Sequence, residues 1–361
     1  MSTESPSRQS FKRSESPEVY MRRCFQLAVL GSGFTAPNPM VGAVLVHEGK
    51  IIGEGYHQKF GEAHAEVNCV RSVRPADRHL ISRSTLYVSL EPCNHFGKTP
   101  PCSDLILHEK IPDVVIGCRD PFPTREGKGI EKLSRHHVNI QFPVLEEEAI
   151  HLNRRFFCFH QRKRPYIVLK WAQSSNQKIA GEKGERIAIS NAISNRLVHK
   201  WRTEEAGILV GTNTALLDNP ELTARLWPGK NPVRIVVDRR LRLPDSLKLF
   251  DLKTHSMVLN ELTDLQAGNL HFKKIQGESK NLESVLTGLY EANILSVMVE
   301  GGRALLQSFF DAGIWDEARI ITNHVLEIQG GVSSPNLFHA KPARTEIYDS
   351  DTIQYFVNLN A

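Results

Sequence analysis

Long apolar runs are missing from this chain of 361 residues. No window approaches the roughly 20 apolar residues that a helix needs to cross a bilayer, so we expect no membrane partner. Residues 1–17 also lack the apolar centre of a secretory signal peptide. They are rich in Ser, Glu, Arg and Lys, and this composition predicts a disordered tail.

Cysteine is scarce too, and six of them do not make a disulfide framework in a chain of this length. Free thiols are typical of a reducing compartment, so we expect a cytoplasmic protein in which some cysteines are available to bind a metal. A strong charge of either sign is also absent, since the formal net charge is +5. That mild excess permits nucleic-acid binding but suits small phosphorylated substrates equally well.

Predicted helices and strands alternate in both halves of the chain, which indicates two layered α/β domains. In the first half we predict strands at 40–46, 50–55, 84–90, 114–117 and 138–142, with helices at 18–30, at 64–70, after Cys102 and near Ile130. In the second half we predict strands at 166–171, 207–211, 233–238, 256–259 and 294–299, with helices at 190–201 and 282–290. We place a first domain at 18–145, a charged linker helix at 146–164 and a second domain at 165–361.

The strongest motif of the first domain is His64-Ala65-Glu66, followed by Pro92-Cys93 and then by Cys102. Zinc deaminases bind their metal with one His and two Cys, and keep a Glu that does not bind it. Imidazole and thiolates suit zinc and leave a fourth tetrahedral position for a water molecule, whose pKa the metal lowers. The sequence therefore predicts a zinc site of His64, Cys93 and Cys102, with Glu66 as the catalytic acid and base.

Each part of this motif also has an ordinary interpretation. A His-x-Glu pair is most often a surface pair, and Cys93 and Cys102 taken separately fit buried thiols that pack as small apolar side chains. The combination favours catalysis, because His64 opens a predicted helix and Cys93 follows a predicted strand.

The long connection between the two cysteines resembles a known family. Its sequence, Glu91-Pro-Cys-Asn-His-Phe-Gly-Lys-Thr-Pro-Pro-Cys102, is similar to the deaminase domain of the bifunctional riboflavin-biosynthesis deaminase/reductases. The stretches 37–44, 53–57 and 61–66 share this resemblance, which spans about Tyr20 to Phe142. It implies a cytidine-deaminase-like three-layer domain that acts on a diaminopyrimidinone carrying a phosphoribosylamino group.

By the same resemblance, the pyrimidine substrate is bound by Asn38, His57, His95 and Lys98. The carboxamide of Asn38 can both donate and accept hydrogen bonds at a pyrimidine edge. Lys98 offers a compact positive charge to a phosphate. Without the family, Asn38 would be interpreted as a turn residue before a proline.

The second half lacks the Gly-x-Gly-x-x-Gly fingerprint of ordinary dinucleotide-binding domains. It does contain Glu300-Gly-Gly-Arg303, where glycines would let the main chain approach a phosphate at a helix N-terminus, although a plain turn fits them equally well. The stretches 169–174, 208–214, 218–225 and 299–302 resemble the reductase domain of the same family. The resemblance implies a dihydrofolate-reductase-like α/β domain that uses NADPH to reduce the ribosyl group to a ribityl chain.

Position by position, this resemblance also assigns the contacts of the second domain. The NADPH contacts are Ala172, Thr214, Asp218, Gly301, Gly302, Arg303, Ala304, Leu305 and Leu306, and the substrate contacts are Arg202, Leu222, Arg225 and Glu300. The guanidinium groups of Arg202 and Arg225 suit phosphate recognition, although most arginines in such a chain form surface ion pairs.

Several positions depart from the family pattern in this domain. Asn176 and Gln177 replace the usual Asp-Gly after the first strand, Arg186 and Ala188 replace a substrate-binding Ser and a cofactor-lining Trp, and Arg239 replaces a Ser. Loss of an aromatic wall predicts weaker cofactor packing, whereas Arg186 and Arg239 add charges that attract a phosphate.

Two alternatives to the bifunctional enzyme follow. In the first, the chain is a deaminase whose second domain binds ligand or dimerises without turnover. In the second, it is a nucleic-acid deaminase, which requires a basic surface with aromatic side chains for single strands; the basic clusters at 154–155 and 162–164 lie in the predicted linker instead. We expect zinc, NADPH, a small phosphorylated pyrimidine substrate, no nucleic acid and a homo-oligomer.

Overall fold

This computed structural model describes residues 16–96, 100–122, 126–276 and 282–360. The chain divides into two compact units, Met1–Asn153 and Arg154–Ala361. We predict a disordered tail over residues 1–17, of which residues 1–15 lie outside the described part of the chain. The first helix begins at Pro17, within the predicted tail. In the part of the chain that is described, none of the helices is both long and apolar enough to cross a membrane.

The first unit contains a five-stranded sheet in the order β2-β1-β3-β4-β5. Its strands are β1 (Gly42–His47), β2 (Lys50–Tyr56), β3 (Thr85–Leu90), β4 (Asp113–Cys118) and β5 (Asn139–Gln141). Its helices are α1 (Pro17–Val29), α2 (Ala65–Ser72), α3 (Cys102–His108), α4 (Lys128–Arg135) and α5 (Glu146–Leu152), with a 3-10 helix at Pro75–Arg83. Strand β1 runs antiparallel to β2 and β3, whereas β3, β4 and β5 are parallel.

Alternate residues of β1 face opposite sides of this sheet. Ala43 and Leu45 join an apolar core with residues of α2, α3 and α4. Val44 and Val46 pack instead with the buried face of α1. Helices therefore cover both faces of the sheet, and the first unit has three layers.

The second unit contains a ten-stranded sheet in the order β11-β12-β10-β9-β8-β13-β6-β14-β17-β16. Its helices are α6 (Arg154–Arg162), α7 (Ala192–Glu204), α8 (Thr212–Asp218), α9 (Leu282–Glu291) and α10 (Arg303–Asp311), with a 3-10 helix at Lys248–Phe250. Its strands are β6 (Tyr166–Gln173), β7 (Lys178–Ala180), β8 (Gly207–Gly211), β9 (Val233–Val237), β10 (Ser256–Asn260), β11 (Leu265–Ala267), β12 (Leu270–Lys274), β13 (Ser296–Val299), β14 (Glu317–Asn323), β15 (Val332–Ser333), β16 (Ala340–Tyr348) and β17 (Asp351–Asn358). Strands β7 and β15 form a separate two-stranded sheet.

The centre of the large sheet is buried on both faces. Leu209 of β8 packs with α9 and α10 on one face, while Ile208 and Val210 pack with α7 and α8 on the other. Such strands have nearly continuous apolar sequences, which is why the sequence predicts them well.

Strand β13 is inserted between β8 and β6 and is parallel to both. The carboxyl ends of these three strands therefore lie at one edge of the sheet. In open α/β sheets, ligands bind in the crevice outside that edge, so this edge is where the cofactor and substrate of the second unit are expected.

The segment predicted as one linker helix over 146–164 forms two helices. Helix α5 ends at Leu152 and α6 begins at Arg154, and the backbone of Asn153 between them leaves the helical course (φ −102, ψ 22). Helix α5 belongs to the first unit and α6 to the second. The side chain of Asn153 binds the main chain of Met40, a long-range contact that helical periodicity does not report.

Candidate active sites

The predicted metal ligands come together at the start of two helices. His64 is the N-cap of α2, Cys102 is the first residue of α3, and Cys93 follows β3. The Nδ1 atom of His64 lies 3.5 Å from Sγ of Cys93 and 3.3 Å from Sγ of Cys102. Tetrahedral zinc with Zn–S near 2.3 Å and Zn–N near 2.0–2.1 Å separates N and S ligand atoms by about 3.5 Å. This donor set therefore fits zinc in both chemistry and spacing.

The three ligand atoms lie within 4.8 Å of one another, and in the described ranges no other group of His, Cys, Asp or Glu side chains is arranged to hold a metal. Helix α2 reaches this position because Gly55 of β2 carries no side chain, and a Cβ there would collide with the main chain at Cys69. The missing side chain at Gly55 thus allows α2, which begins just after His64, to pack closely against β2.

Glu66 lies in the first turn of α2 and is only 4% exposed. Its burial, together with the negative charge of Cys93, raises the pKa of Glu66. A carboxyl group with a raised pKa can take up a proton and return it during one reaction. The structure thus places a buried carboxyl group beside the predicted zinc ligands.

Electrostatics separate Cys93 from the other cysteines, since the hydrogen bond with Cys93 and burial raise the pKa of Cys102. The Cys102 side chain, aided by His64, lowers the pKa of Cys93 to about 4 by hydrogen bonding, and the main-chain N–H of Cys102 also donates to Cys93 Sγ at 3.3 Å. Burial raises the pKa of the thiols of Cys24, Cys69, Cys118 and Cys158. Those four thiols stay protonated and pack within the cores.

A residue that sequence reasoning missed holds the connection around Cys93. Glu91 is buried, and its carboxylate accepts hydrogen bonds from the main-chain N–H groups of Gly127 at 3.0 Å, Gly129 at 2.8 Å and Ile130 at 3.2 Å. A Cβ on Gly129 would collide with the carbonyl oxygen of Pro92. The start of α4 therefore clamps the chain immediately before Cys93. In the sequence, only the position of Glu91 directly before Pro92-Cys93 pointed to its part in holding this connection.

The structure brings together two of the residues assigned to the pyrimidine. Asn38 Nδ2 lies 3.1 Å from Nε2 of His57, and His57 Nδ1 lies 3.1 Å from the carbonyl oxygen of Ala63. Burial lowers the pKa of His57, so the neutral ring accepts from Asn38 and donates to Ala63. The ring of His57 is 5.4 Å from that of His64 between centroids, which places this pair beside the predicted zinc site.

The other two assigned pyrimidine contacts belong to the connection between the cysteines. His95 lies two residues beyond Cys93 and is partly exposed. Lys98 lies outside the described residues.

In the second unit, the residues assigned to NADPH gather at the carboxyl edge of the sheet. Gly301 and Gly302 connect β13 to α10, and the main-chain N–H of Gly302 donates to Oγ1 of Thr214 in α8 at 2.9 Å. A Cβ on Gly301 would come within 2.8 Å of the Leu305 side chain. Main chain without side chains at a helix N-terminus suits an anionic phosphate, so this cradle fits a dinucleotide.

The remaining cofactor assignments differ in exposure. Ala172 lies near the end of β6, Asp218 ends α8, and Arg303 and Ala304 are exposed in the first turn of α10. The side chain of Leu306 is fully buried in the core. The main-chain N–H of this residue donates to the carbonyl oxygen of Gly302 at 3.2 Å, so this structure leaves no exposed part of Leu306 for a cofactor to contact.

Two of the residues assigned to the reductase substrate, Arg202 and Glu300, form a buried charged cluster. Arg202 donates to both carboxylate oxygens of Glu300, at 2.8 Å and 3.0 Å, and to the carbonyl oxygen of Thr223 at 2.9 Å. Although burial opposes ionisation, Arg202 and Lys170 lower the pKa of Glu300 to about 2. Arg202 is thus already paired with a carboxylate, so the expectation of a free phosphate clamp there needs revision.

Lys170 is the member of this cluster that sequence reasoning missed. It lies on the apolar strand β6, with its Nζ 3.5 Å from Glu300, and burial lowers the pKa of Lys170. The other assigned residues are less central: Leu222 is buried with a left-handed backbone (φ 52), and Arg225 is exposed and pairs with Glu221 at 3.4 Å.

The positions that depart from the family pattern have individual structural roles. Asn176 accepts from the Ser174 hydroxyl at 2.6 Å and donates to the carbonyl oxygen of Ile328 at 2.9 Å. Gln177 has the left-handed φ of 60 that a glycine adopts without strain.

The two added arginines differ in their partners. Arg239 pairs with Glu261 at 2.9 Å. Arg186 and Ala188 are exposed, and the charge of Arg186 opposes the burial that raises the pKa of Asp218. Arg186 is therefore the added charge that lies near an assigned cofactor residue.

Comparisons with known proteins match both units. The chain matches the model of the cytidine and deoxycytidylate deaminase zinc-binding region over residues 14–118, and that of the RibD C-terminal domain over residues 165–346. It is 41% identical to the riboflavin biosynthesis protein RibD of Aquifex aeolicus over 86% of this chain and 87% of that protein. It is 32% identical to the RibD of Escherichia coli over 83% of this chain and 85% of that protein.

A solved structure resembles the whole chain. The diaminohydroxyphosphoribosylaminopyrimidine deaminase/5-amino-6-(5-phosphoribosylamino)uracil reductase of Thermotoga maritima superposes with a TM-score of 0.85 at 36% identity, over 95% of this chain and 98% of that one. These matches confirm the expected fold class, a cytidine-deaminase-like domain followed by a dihydrofolate-reductase-like α/β domain.

Proposed function

This chain belongs to the RibD family of bifunctional riboflavin-biosynthesis deaminase/reductases, and we propose that it performs both reactions of the family with the residues described above. The first is hydrolytic deamination of 2,5-diamino-6-(5-phosphoribosylamino)pyrimidin-4(3H)-one. The second is reduction of the ribosyl group of the deaminated product to a ribityl chain by NADPH. The observation that carries the proposal is the His64, Cys93 and Cys102 cluster with buried Glu66 beside it.

In the deaminase unit, His64, Cys93 and Cys102 would hold zinc, and the bound metal would supply a water molecule of lowered pKa for attack on the amino-bearing ring carbon. Glu66 accepts a proton from that water and delivers it to the ring nitrogen and the departing ammonia. Asn38 and His57 orient the pyrimidine, and Lys98 binds its phosphate. The net change replaces a C–NH₂ group with a carbonyl, consuming water and releasing ammonia.

In the reductase unit, NADPH would supply a hydride to the imine carbon that forms when the ring of the phosphoribosylamino group opens, and a proton from water would complete the ribityl amine. Gly301, Gly302 and Thr214 hold the cofactor at the start of α10. Glu300, with Arg202 and Lys170 on either side, binds the sugar portion of the substrate, and Arg225 lies on the exposed side for its phosphate. The contribution of the protein is therefore binding and orientation.

A deaminase with an inactive second unit is the other candidate, and the altered positions favour it. Ala188 supplies no aromatic wall, and Gln177 holds a strained backbone conformation where the family has glycine. The missing aromatic side chain at Ala188 weakens cofactor packing, whereas the residues of the Glu300 cluster are unchanged.

We further propose that the protein is a cytoplasmic homo-oligomer that acts on a small phosphorylated pyrimidine and not on nucleic acid. All six cysteines are free thiols, as a reducing compartment favours. Light scattering of the purified chain tests the oligomeric state.

The test is incubation of the zinc-loaded protein with the diaminopyrimidinone phosphate, with and without NADPH, followed by product mass. We expect ammonia release in both samples and a ribityl product only with NADPH. Glu66→Gln should retain zinc and lower ammonia release by about 10² or more, while reduction of pre-deaminated substrate persists. Tight NADPH binding without oxidation would establish the second candidate, and normal deamination by Glu66→Gln would refute the role of Glu66.

A further inference from the structure

The loop that carries Asn38 can form few main-chain hydrogen bonds. Asn38 stands between Pro37 and Pro39, and proline has no main-chain N–H to donate. Between the two prolines, the N–H of Asn38 donates to the carbonyl oxygen of Thr35 at 2.9 Å. After them, the first residue that can anchor the main chain in both directions is Met40.

Asn153 provides that anchor from a distant part of the sequence. Its Oδ1 accepts from the N–H of Met40 at 2.8 Å, and its Nδ2 donates to the carbonyl oxygen of Met40 at 2.9 Å. The carboxamide therefore pairs with both main-chain groups of one residue, as a neighbouring strand would. Asn153 is 3% exposed, so water does not replace this contact readily.

The anchored loop presents Asn38 to the neutral ring of His57. Asn38 Nδ2 contacts His57 Nε2 at 3.1 Å, and this leaves the carbonyl oxygen of Asn38 as an acceptor for the substrate. A loop fixed at Thr35 on one side and at Met40 on the other keeps that oxygen in one place.

We infer that Asn153 is a positioning residue of the pyrimidine site, acting on Asn38 through the main chain of Met40. The inference rests on the proposed function, in which Asn38 and His57 bind the pyrimidine. Asn153 touches neither the substrate nor the zinc ligands. Its removal loosens the loop without removing any group that reacts.

The first test compares Asn153→Ala with Asn139→Ala, which removes an exposed asparagine of the same unit that donates to Asp113. Asn153→Ala should raise the KM of deamination about tenfold with little change in kcat, the pattern of lost uniform binding. Zinc content and reductase turnover should match the unaltered protein. Asn139→Ala should change none of these quantities.

A double-mutant cycle separates positioning from general stability. If Asn153 acts only through Asn38, then Asn153→Ala adds no further rise in KM to the variant Asn38→Ala. Additive effects, or an unchanged KM in Asn153→Ala, would overturn the inference. Failure of the unaltered protein to deaminate would overturn the proposed function instead.

Asn153→Asp keeps the test decisive if the alanine variant does not fold. The carboxylate still accepts from the N–H of Met40 but has no proton to donate to its carbonyl oxygen. We expect a smaller rise in KM, again absent in the Asn38→Ala background. An undiminished affinity for the pyrimidine in a zinc-loaded, reductase-active Asn153→Asp protein would refute the inference.

Discussion

Arg202 and Glu300 are bound to each other by two parallel hydrogen bonds, of 2.8 Å and 3.0 Å, at the edge of the reductase sheet. Both residues are assigned to the substrate, yet each already satisfies the charge of the other. A buried pair of this kind is costly to break from one side, because the remaining charge loses its closest partner. Without Arg202, only Lys170 at 3.5 Å is left beside Glu300.

Arg202→Gln should therefore abolish reduction and destabilise the second unit by about 3–5 kcal/mol, while ammonia release is unchanged. Combining Arg202→Met with Glu300→Gln and Lys170→Met removes all three charges of the cluster and should recover much of the stability but none of the reductase activity. Thermal denaturation and NADPH oxidation measure the two effects. Full reductase activity in the triple variant would show that the cluster is only structural.

Zinc should bind at about one ion per chain and depend on the thiolate of Cys93. Cys93→Ser should release the metal and abolish deamination, since the hydroxyl is a poor replacement for a thiolate. Cys158→Ser is the matched control, because that thiol lies in the second unit and burial raises its pKa. Metal analysis after dialysis decides the assignment, which fails if the Cys93 variant retains wild-type zinc.

Glu91→Gln should speed the loss of zinc without touching a ligand. The amide nitrogen of Gln cannot accept from the N–H groups of Gly129 or Gly127, so the connection before Cys93 loosens. A tenfold or greater rise in the rate of zinc transfer to a chelator is expected, within the range for such supporting contacts. Glu54→Gln breaks an ion pair with Arg23 in the same unit and should leave that rate unchanged. Equal rates in both variants would contradict the role given to Glu91.

His199 should make the second unit sensitive to mild acid. Burial, followed by the charges of Arg202 and Arg225, lowers the pKa of His199 to about 4 from its ordinary value of 6.5. Between pH 6.5 and about pH 4, His199 therefore binds a proton in the unfolded chain but not in the folded chain. The contribution of neutral His199 to the stability of the second unit is complete above pH 6.5 and is lost as the pH falls from 6.5 to about 4.

Replacing His199 with Asn removes this dependence, even if the variant is less stable throughout. The difference in melting temperature between the wild-type protein and His199→Asn should be larger at pH 7 than at pH 5. A difference that stays constant across this range would mean that His199 titrates normally in the folded protein.

Cofactor preference should depend more on Arg186 than on Arg239. Arg239 is paired with Glu261, whereas Arg186 is exposed near Asp218. Arg186→Ala should weaken NADPH binding by about 1.5–3 kcal/mol, the usual loss for a charge-assisted contact, and leave NADH binding unchanged. Titration of both nucleotides with Arg239→Ala as the comparison tests this. A loss of NADPH preference only in the Arg239 variant would reverse the assignment.

The zinc cluster could be predicted from the sequence because each of its residues lies in a short motif that can be recognised without knowing the fold. His64 and Glu66 share one turn, and each cysteine borders a strand or helix with a clear pattern. Lys170 could not be found in this way, since a single lysine within an apolar strand has no periodicity that distinguishes it. Asn153 and Glu91 act through main-chain groups far away in sequence, so only the folded chain shows their partners.

The same division applies to the fold. Strands β8, β9 and β10 are buried on both faces and have short apolar runs that the sequence reports. Strand β16 is exposed along most of Ala340–Tyr348, so its sequence has no apolar alternation and it was not predicted. The sequence predicts a single helix over 146–164 and not the break between α5 and α6. The charged residues on which that prediction rests continue on both sides of Asn153, and a run of charged residues does not indicate where a helix ends.

The order of strands in the two sheets has a consequence for synthesis on the ribosome. Every strand of the first sheet lies between Gly42 and Gln141, so that sheet closes before most of the second unit exists. In the second unit, β6 and β8 emerge long before β13, which separates them. Until Ser296–Val299 leaves the exit tunnel, both strands have an open edge, and open edges promote pairing between neighbouring nascent chains. Unpaired strand edges are therefore exposed for longer during synthesis of the second half of the chain than of the first.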